Sequence, residues 1–229
     1  DWAQRIQTMA KRTRPIRPVM VSDCSDPYQP LEAELCLTKH CLEVLIKQGF
    51  PVLVVTKSDL VLRDADLLAS GEAVISMTIT TLDEDVAKRI EPGAPSPSRR
   101  LRALARLAEL GLPVTVRIDP ILPGVNDDPL GLRELVDAVA EAGAKQITSS
   151  TFKPVKGTFE LMREADEDLY RAMVRAYRGA KWIGGYLYLP ARRRYEMMKA
   201  IRSLALSRGL HFAVCREGFA ELNTTICDG

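Results

Sequence analysis

The chain has 229 residues, 46% apolar and 27% charged, with a formal net charge of +2. That length and balance fit one α/β domain with its own core, and the near-neutral charge excludes a partner chosen by bulk electrostatics alone. No apolar run approaches the ~20 residues of a membrane span and the first residues carry no signal-peptide core, so the expectation is a cytoplasmic protein with no membrane partner.

Val19, Met20 and Val21 read as a short buried strand that breaks into a polar loop, SDCSDPYQP. Residues 31–48 read as one helix, with Leu31, Leu35, Leu42, Leu45 and Ile46 at helical spacing and Gly49 as its C-terminal cap. Residues 51–56 form the next strand, and 59–70 a second, shorter helix. Residues 73–80 are a third strand, followed by the Pro-rich loop EPGAPSPS. Ser96 stands at an N-cap position before Pro97, which opens a helix over 97–110 closed by Gly111. A strand over 113–119, a helix over 127–142 closed by Gly143 and a strand over 145–150 continue the rhythm. Past 160 the pattern loosens. A helix is expected over 165–178, a loop at 184–188, a helix with a basic face over 191–207 and a last strand over 211–214. The basic runs, Lys11-Arg12-Thr13-Arg14, Arg99-Arg100 and Arg192-Arg193-Arg194, read as solvated helix faces or ends.

Continuous apolar strands alternating with helices imply a parallel sheet of right-handed βαβ units. Six strands of this kind suit a (β/α) barrel, open or closed, better than a doubly wound sheet, and no Gly-x-Gly-x-x-Gly follows any of them. The expected division is a barrel core over 1–160 and a helical extension over 161–229 that completes it.

Each of the first five strands ends in polar residues: SDCSD, TKS, TITTLD, RIDP and TSSTFK. Ligands of parallel α/β folds bind at the carboxyl ends of strands, so these five ends are expected to share one mouth. Asp23, Asp26, Lys57, Arg117 and Asp119 supply both signs of charge. Ser25, Ser76, Thr78 and Thr80 supply hydroxyls. Such a set suits a zwitterion attached to a sugar. His40 and His211, the two histidines, read as structural residues. No nucleophile elbow, phosphate loop or His-Glu-x-x-His occurs. The five cysteines, Cys24, Cys36, Cys41, Cys215 and Cys227, are odd in number and include no Cys-x-x-Cys, which argues against a disulfide framework.

The segments SDCSDPYQPLE, VVTKSDLVLRDADLL, MTITTLDEDVAKRIEPGAPSPSRRLRALARLAELGLPVTVRIDPILPGVND and CREG resemble the radical S-adenosylmethionine superfamily. Within it they resemble the branch of spore photoproduct lyase and related DNA repair photolyases. The likeness is close over roughly 18–150. It implies a partial (β/α)6 barrel, a 4Fe–4S cluster, S-adenosylmethionine and a one-electron reductant. It also implies a 5′-deoxyadenosyl radical that abstracts hydrogen from substrate, and a DNA or RNA substrate. By the same likeness Asp23, Ser25 and Asp26 lie beside the methionine amino group and Lys57 near its carboxylate. Thr78 or Thr80 lies near the ribose, Ser76 is among the cofactor-binding residues, Arg117 and Asp119 line the same cavity, and Glu91 and Pro92 stand beside its mouth. Cys24 stands close to the place where spore photoproduct lyase keeps a hydrogen-donating cysteine.

The departure is the Cys-x3-Cys-x-x-Cys loop that holds the family's cluster through thiolates. It is missing from this sequence. The likeness begins at the second barrel strand, so the cluster ligands are expected upstream of Asp1. Cys215 and Cys227 are the only further metal candidates. Two rivals stand beside this reading: a lyase using Lys57 as a Schiff-base amine, and a non-catalytic module that binds S-adenosylmethionine or nucleic acid.

Overall fold

The structure, a computed structural model, describes residues 2–12, 16–21 and 25–227. In chain order the elements are α1 (Trp2–Arg12), β1 (Val19–Val21), α2 (Glu32–Leu35), α3 (Leu37–Lys47), β2 (Val52–Thr56), α4 (Ala65–Ala69) and β3 (Ala73–Thr78). They continue with α5 (Glu84–Ile90), α6 (Pro97–Glu109), β4 (Val114–Ile121), α7 (Pro129–Glu141) and β5 (Gln146–Thr151). The last are α8 (Thr158–Ala165), α9 (Glu167–Ala176), β6 (Lys181–Ile183), β7 (Tyr186–Tyr188), α10 (Ala191–Ser207) and β8 (His211–Val214). Six strands pair in the order β1-β2-β3-β4-β5-β8, every pair parallel. This is the partial barrel expected from the alternating strands and helices.

Alternation along each strand sends successive side chains to opposite faces. One face carries Val52, Val54, Ile75, Met77, Val114, Val116, Ile118, Ile147 and Phe212 into the main core. There they pack with Leu42, Leu104, Leu107, Leu135, Val139, Met198 and Ile201 from the helices. The other face is buried but polar: Ser76, Thr78, Thr115 and Thr148 lie on it. The strands therefore read as apolar runs only in part, and the face that lines the barrel interior carries buried hydroxyls beside apolar residues such as Val55 and Val74.

Several elements differ from expectation. The helix expected over 31–48 is two helices, because Cys36 adopts a left-handed conformation (φ 51°). Residues 59–64 form a 3-10 turn before the short α4. The expected helix over 165–178 begins at Glu167, and α8 precedes it. The expected loop at 184–188 belongs to a β-hairpin, β6 with β7, turned by Gly184 and Gly185. Ser96 occupies the N-cap position of α6, yet its hydroxyl meets Ser98 rather than a backbone N–H.

The basic runs also divide. Arg99 is exposed and pairs with Asp59, whereas Arg100 is 1% exposed. Arg194 is buried while Arg192 pairs with Glu196 at the surface. Thr13 and Arg14 lie outside the described residues. Among the described residues no helix is long and apolar enough to cross a membrane.

The tail runs back along β8. Val214 N–H donates to Asn223 Oδ1 (2.8 Å), Phe212 N–H to Thr224 Oγ1 (2.8 Å), and Thr224 N–H to Phe212 O (2.8 Å). These bonds occupy the outer edge of the last strand.

Candidate cofactor site at the carboxyl ends of the strands

The first polar loop is held to the second strand by one carboxylate. Asp26 Oδ1 accepts from Tyr28 N–H (2.9 Å) and Thr56 Oγ1 (2.6 Å), and Asp26 Oδ2 accepts from Lys57 N–H (2.6 Å). The loop continues inward through Tyr28, whose ring is buried and whose hydroxyl donates to Asp64 Oδ2 (3.0 Å). Burial and the Asp64 carboxylate push the Tyr28 phenol well above its ordinary pKa, so it stays a donor. Arg63 binds Asp64 through Nε and Nη2 and reaches Glu32 Oε1 (2.8 Å). Glu32 in turn accepts from Thr38 N–H (2.9 Å), which starts α3. The stretch DPYQPLE thus spends its polar groups on fixing Lys57 at the mouth of β2.

A second polar cluster is built around Glu91. Its Oε2 accepts from the buried Arg100 (2.5 Å) and its Oε1 from Thr80 Oγ1 (3.1 Å). Lys57 Nζ lies 3.9 Å from Glu91 Oε1. Arg100 also donates to Pro95 O (2.7 Å) and Thr78 O (3.1 Å), tying the Pro-rich loop to the end of β3. Asn126 closes the next loop, donating to Thr80 O and Pro120 O and accepting from Leu122 N–H.

Lys57 and Asp26 line a cavity of about 550 Å³, and Glu91 is not among its lining residues. Every one of the five polar strand ends contributes to it: Ser25 and Asp26, Lys57, Thr78, Arg117 and Asp119, then Ser150. Arg117 and Asp119 pair at 2.5 Å, and Asp119 Oδ1 accepts from Ser150 Oγ (2.5 Å).

Thr80 and Ser76 are not among the lining residues. Thr80 is turned to Glu91. Ser76 is fully buried one layer beneath Thr78, in register with Thr115 one layer beneath Arg117. Ser76 Oγ and Thr115 Oγ1 have no hydrogen-bond partner among the described residues, which leaves two orphaned hydroxyls under the cavity floor. Asp23 and Cys24 lie outside the described residues.

Sequence reasoning missed the far wall. Cys215 and Arg216, which follow β8, line it together with Lys153 and Tyr186. Lys153 Nζ donates to Glu217 Oε1 (2.7 Å), and Arg194 Nη1 donates to Glu217 Oε2 (2.6 Å). Glu217 is buried and also accepts from Thr151 N–H and Oγ1, so four donors converge on it. The Arg216 guanidinium stacks 4.4 Å from the Tyr186 ring centroid. The CREG stretch carried this signal, since Cys215 and Arg216 line the cavity and the adjoining Glu217 holds Lys153 of the same wall.

No group of three His, Cys, Asp or Glu side chains able to hold a metal exists among the described residues. Cys36 contacts Arg63 and is not among the cavity-lining residues, and Cys215 and Cys227 contact one another without forming such a group among the described residues. These residues do not fit an iron–sulfur cluster.

Comparisons with known proteins agree with the fold. The family model described as Radical SAM superfamily matches residues 1–136. An uncharacterised protein of Methanocaldococcus jannaschii is 36% identical over 110 residues, 48% of this chain and 42% of the relative. One from Acidianus two-tailed virus is 36% identical over 138 residues, 56% of this chain and 44% of the relative. A Pseudomonas phage M6 protein named radical SAM Nα-GlyT isomerase is 21% identical over 150 residues, 64% of this chain and 31% of its own length. The chain spans less than half the length of these curated relatives.

Spore photoproduct lyase complexed with dinucleoside spore photoproduct superposes with a TM-score of 0.72 at 16% identity, over 93% of this chain and 66% of that one. Streptococcus suis SuiB bound to S-adenosylmethionine gives 0.63 at 12% identity, over 98% of this chain and 46% of that one. At such identities the likeness is one of fold. The family match covers more than half of the residues and includes the first four strands of the sheet, and the chain belongs to the radical SAM superfamily.

Proposed function

We propose that the strand-end cavity holds S-adenosylmethionine and that the protein is a radical enzyme whose substrate is nucleic acid. The observation that carries the reading is Lys57, whose backbone is clamped by Asp26 and whose ammonium stands at a cavity lined by hydroxyls and an Arg117–Asp119 pair.

The donor set fits the cofactor. A zwitterion needs a cation for its carboxylate and acceptors for its ammonium, and a ribose needs hydroxyl partners. Lys57 supplies the cation, Ser25 and Asp119 supply acceptors, and Thr78 supplies a hydroxyl. The orphaned Ser76 and Thr115 hydroxyls offer unmet hydrogen bonds beneath them. The cavity volume lies in the usual range for small-molecule sites, roughly 300–1,000 Å³. When bound, S-adenosylmethionine supplies a sulfonium whose one-electron reduction yields a hydrogen-abstracting radical.

The chain's own residues bind and orient. Asp26 accepts three protein hydrogens and acts on Lys57 as a positioning residue. Glu91, held by Arg100 and Thr80, fixes the direction of the Lys57 ammonium. The described residues supply no cluster ligands, and no step is assigned through a cluster.

Support for nucleic acid comes from the far wall and from a relative. Lys57, Arg117, Lys153 and Arg216 outnumber the lining carboxylates Asp26 and Asp119, and a stacked Arg216–Tyr186 pair offers a planar surface. Aromatic and guanidinium planes of this kind stack nucleobases. The fold neighbour spore photoproduct lyase was solved with a dinucleoside.

The test is calorimetric titration with S-adenosylmethionine of the full-length gene product, reconstituted anaerobically with iron and sulfide, followed by addition of dithionite and assay for 5′-deoxyadenosine. Lys57→Ala is expected to weaken binding by about tenfold or more, the usual worth of a charge-assisted hydrogen bond. Absence of binding by the unaltered protein overturns the reading. Binding without 5′-deoxyadenosine leaves a binding module in its place.

A further inference from the structure

Two thiols meet at the far wall of the cavity. Cys215 follows β8, and its N–H donates to Ser149 O (2.9 Å), which continues the β5–β8 ladder by one residue. Its side chain lies on the cavity face. The tail returns along β8 through Asn223 and Thr224, and Gln146 Nε2 then binds Ile226 O (2.9 Å). The backbone is thereby anchored one residue before Cys227, whose thiol hydrogen-bonds Cys215. Cys215 is half-buried and Cys227 exposed, so an oxidant in solution reaches the pair. Cys36 and Cys41 sit on the α2–α3 side of the first loop.

The chemistry of Cys215 is that of a nucleophile. The hydrogen bond from Cys227 lowers its pKa, burial opposes this, and the Arg117 guanidinium lowers it further, to about 6. The thiolate is the reactive form of cysteine, and positive neighbours are what produce it at neutral pH.

We infer that Cys215 and Cys227 form a redox-active dithiol that closes to a disulfide on reaction with a peroxide. In the first step the Cys215 thiolate attacks a peroxide oxygen. The O–O bond breaks, an S–O bond forms, hydroxide leaves and Cys215 becomes a sulfenic acid. In the second step the Cys227 sulfur attacks the Cys215 sulfur. The S–O bond breaks, the S–S bond forms, and the sulfenic oxygen leaves as water with the Cys227 proton. Both electrons taken by the peroxide come from the two sulfurs. A dithiol reductant reverses the change through a mixed disulfide. The product ties the tail to the cavity wall and removes a negative charge from beside Arg117. The inference stands on the far wall alone and does not require that the cavity bind S-adenosylmethionine.

The test is peptide mapping of the reduced, anaerobically purified protein after treatment with one equivalent of hydrogen peroxide. Trypsin cleaves after Arg216, placing Cys215 in residues 209–216 and Cys227 in residues 217–229. The expected product is these two peptides cross-linked, with a mass two hydrogens below their sum. Cys227→Ser is expected to leave Cys215 as a sulfenic acid that dimedone traps. Cys215→Ser is expected to slow oxidation at Cys227 at least tenfold, with circular dichroism of both variants confirming the fold. A disulfide from Cys215 to Cys24, Cys36 or Cys41 overturns the pairing. Failure of dimedone to label Cys215 in the Cys227→Ser variant overturns the assignment of the nucleophile.

Discussion

Single side chains set the character of the cavity walls, and two of them yield measurable consequences. Cys215 has a pKa of about 6 because Cys227 and Arg117 favour its thiolate against burial. A folded pKa below the ordinary thiol value means that the thiolate stabilises the fold at high pH, and that this contribution fades as pH falls through about 6. Alkylation of Cys215 by iodoacetamide should therefore show a midpoint near pH 6, and Arg117→Ala should move that midpoint upward. Arg194 is the second case. It shares the buried Glu217 with Lys153, and removing one partner of a buried ion pair costs about 3–5 kcal/mol. Arg194→Ala should lower stability by that order in urea unfolding, since Glu217 keeps three of its four donors but loses half of its compensating charge.

At the scale of elements, the turns after helices carry much of the architecture. Gly143 ends α7 at a φ of +93°, and a Cβ there would lie 2.7 Å from Ala108 Cβ on α6. Gly143→Ala should cost about 1–3 kcal/mol through combined backbone strain and overpacking, read again by urea unfolding. Much of this scale was legible in the sequence. The parallel strands show by their alternation with helices, and Gly49, Gly111 and Gly143 mark helix ends by their permissive backbone. The break at Cys36 was not legible, because residues 31–48 keep helical spacing throughout and the kink depends on Arg63, distant in sequence, binding Glu32 O and Cys36 Sγ. The β6–β7 hairpin was legible and misread. Gly184-Gly185 between WI and YLY is the signature of a two-residue turn with both central residues at positive φ. Arg100 and Arg194 looked like members of solvated runs, because their carboxylate partners, Glu91 after α5 and Glu217 after β8, belong to other elements. The near lip of the site could be read from polar strand ends. The far wall depends on β8 lying beside β5, which spacing alone does not disclose.

For the whole molecule, the decisive feature is a sheet that opens on one side and is finished on the other. A free strand edge is a template for pairing with another chain, and natural sheets cover or blunt it. Here the tail residues Asn223 and Thr224 take the outward hydrogen bonds of Phe212 and Val214. Deleting residues 223–229 should uncover that edge and produce more concentration-dependent association in sedimentation velocity than the intact chain. The opposite edge is β1, which among the described residues pairs with β2 alone. The sheet consequently has a direction of growth. Among the described residues, a strand arriving from elsewhere finds β1 unpaired on its outer side, beside the loop that anchors Lys57, and finds the outer side of His211–Val214 already taken.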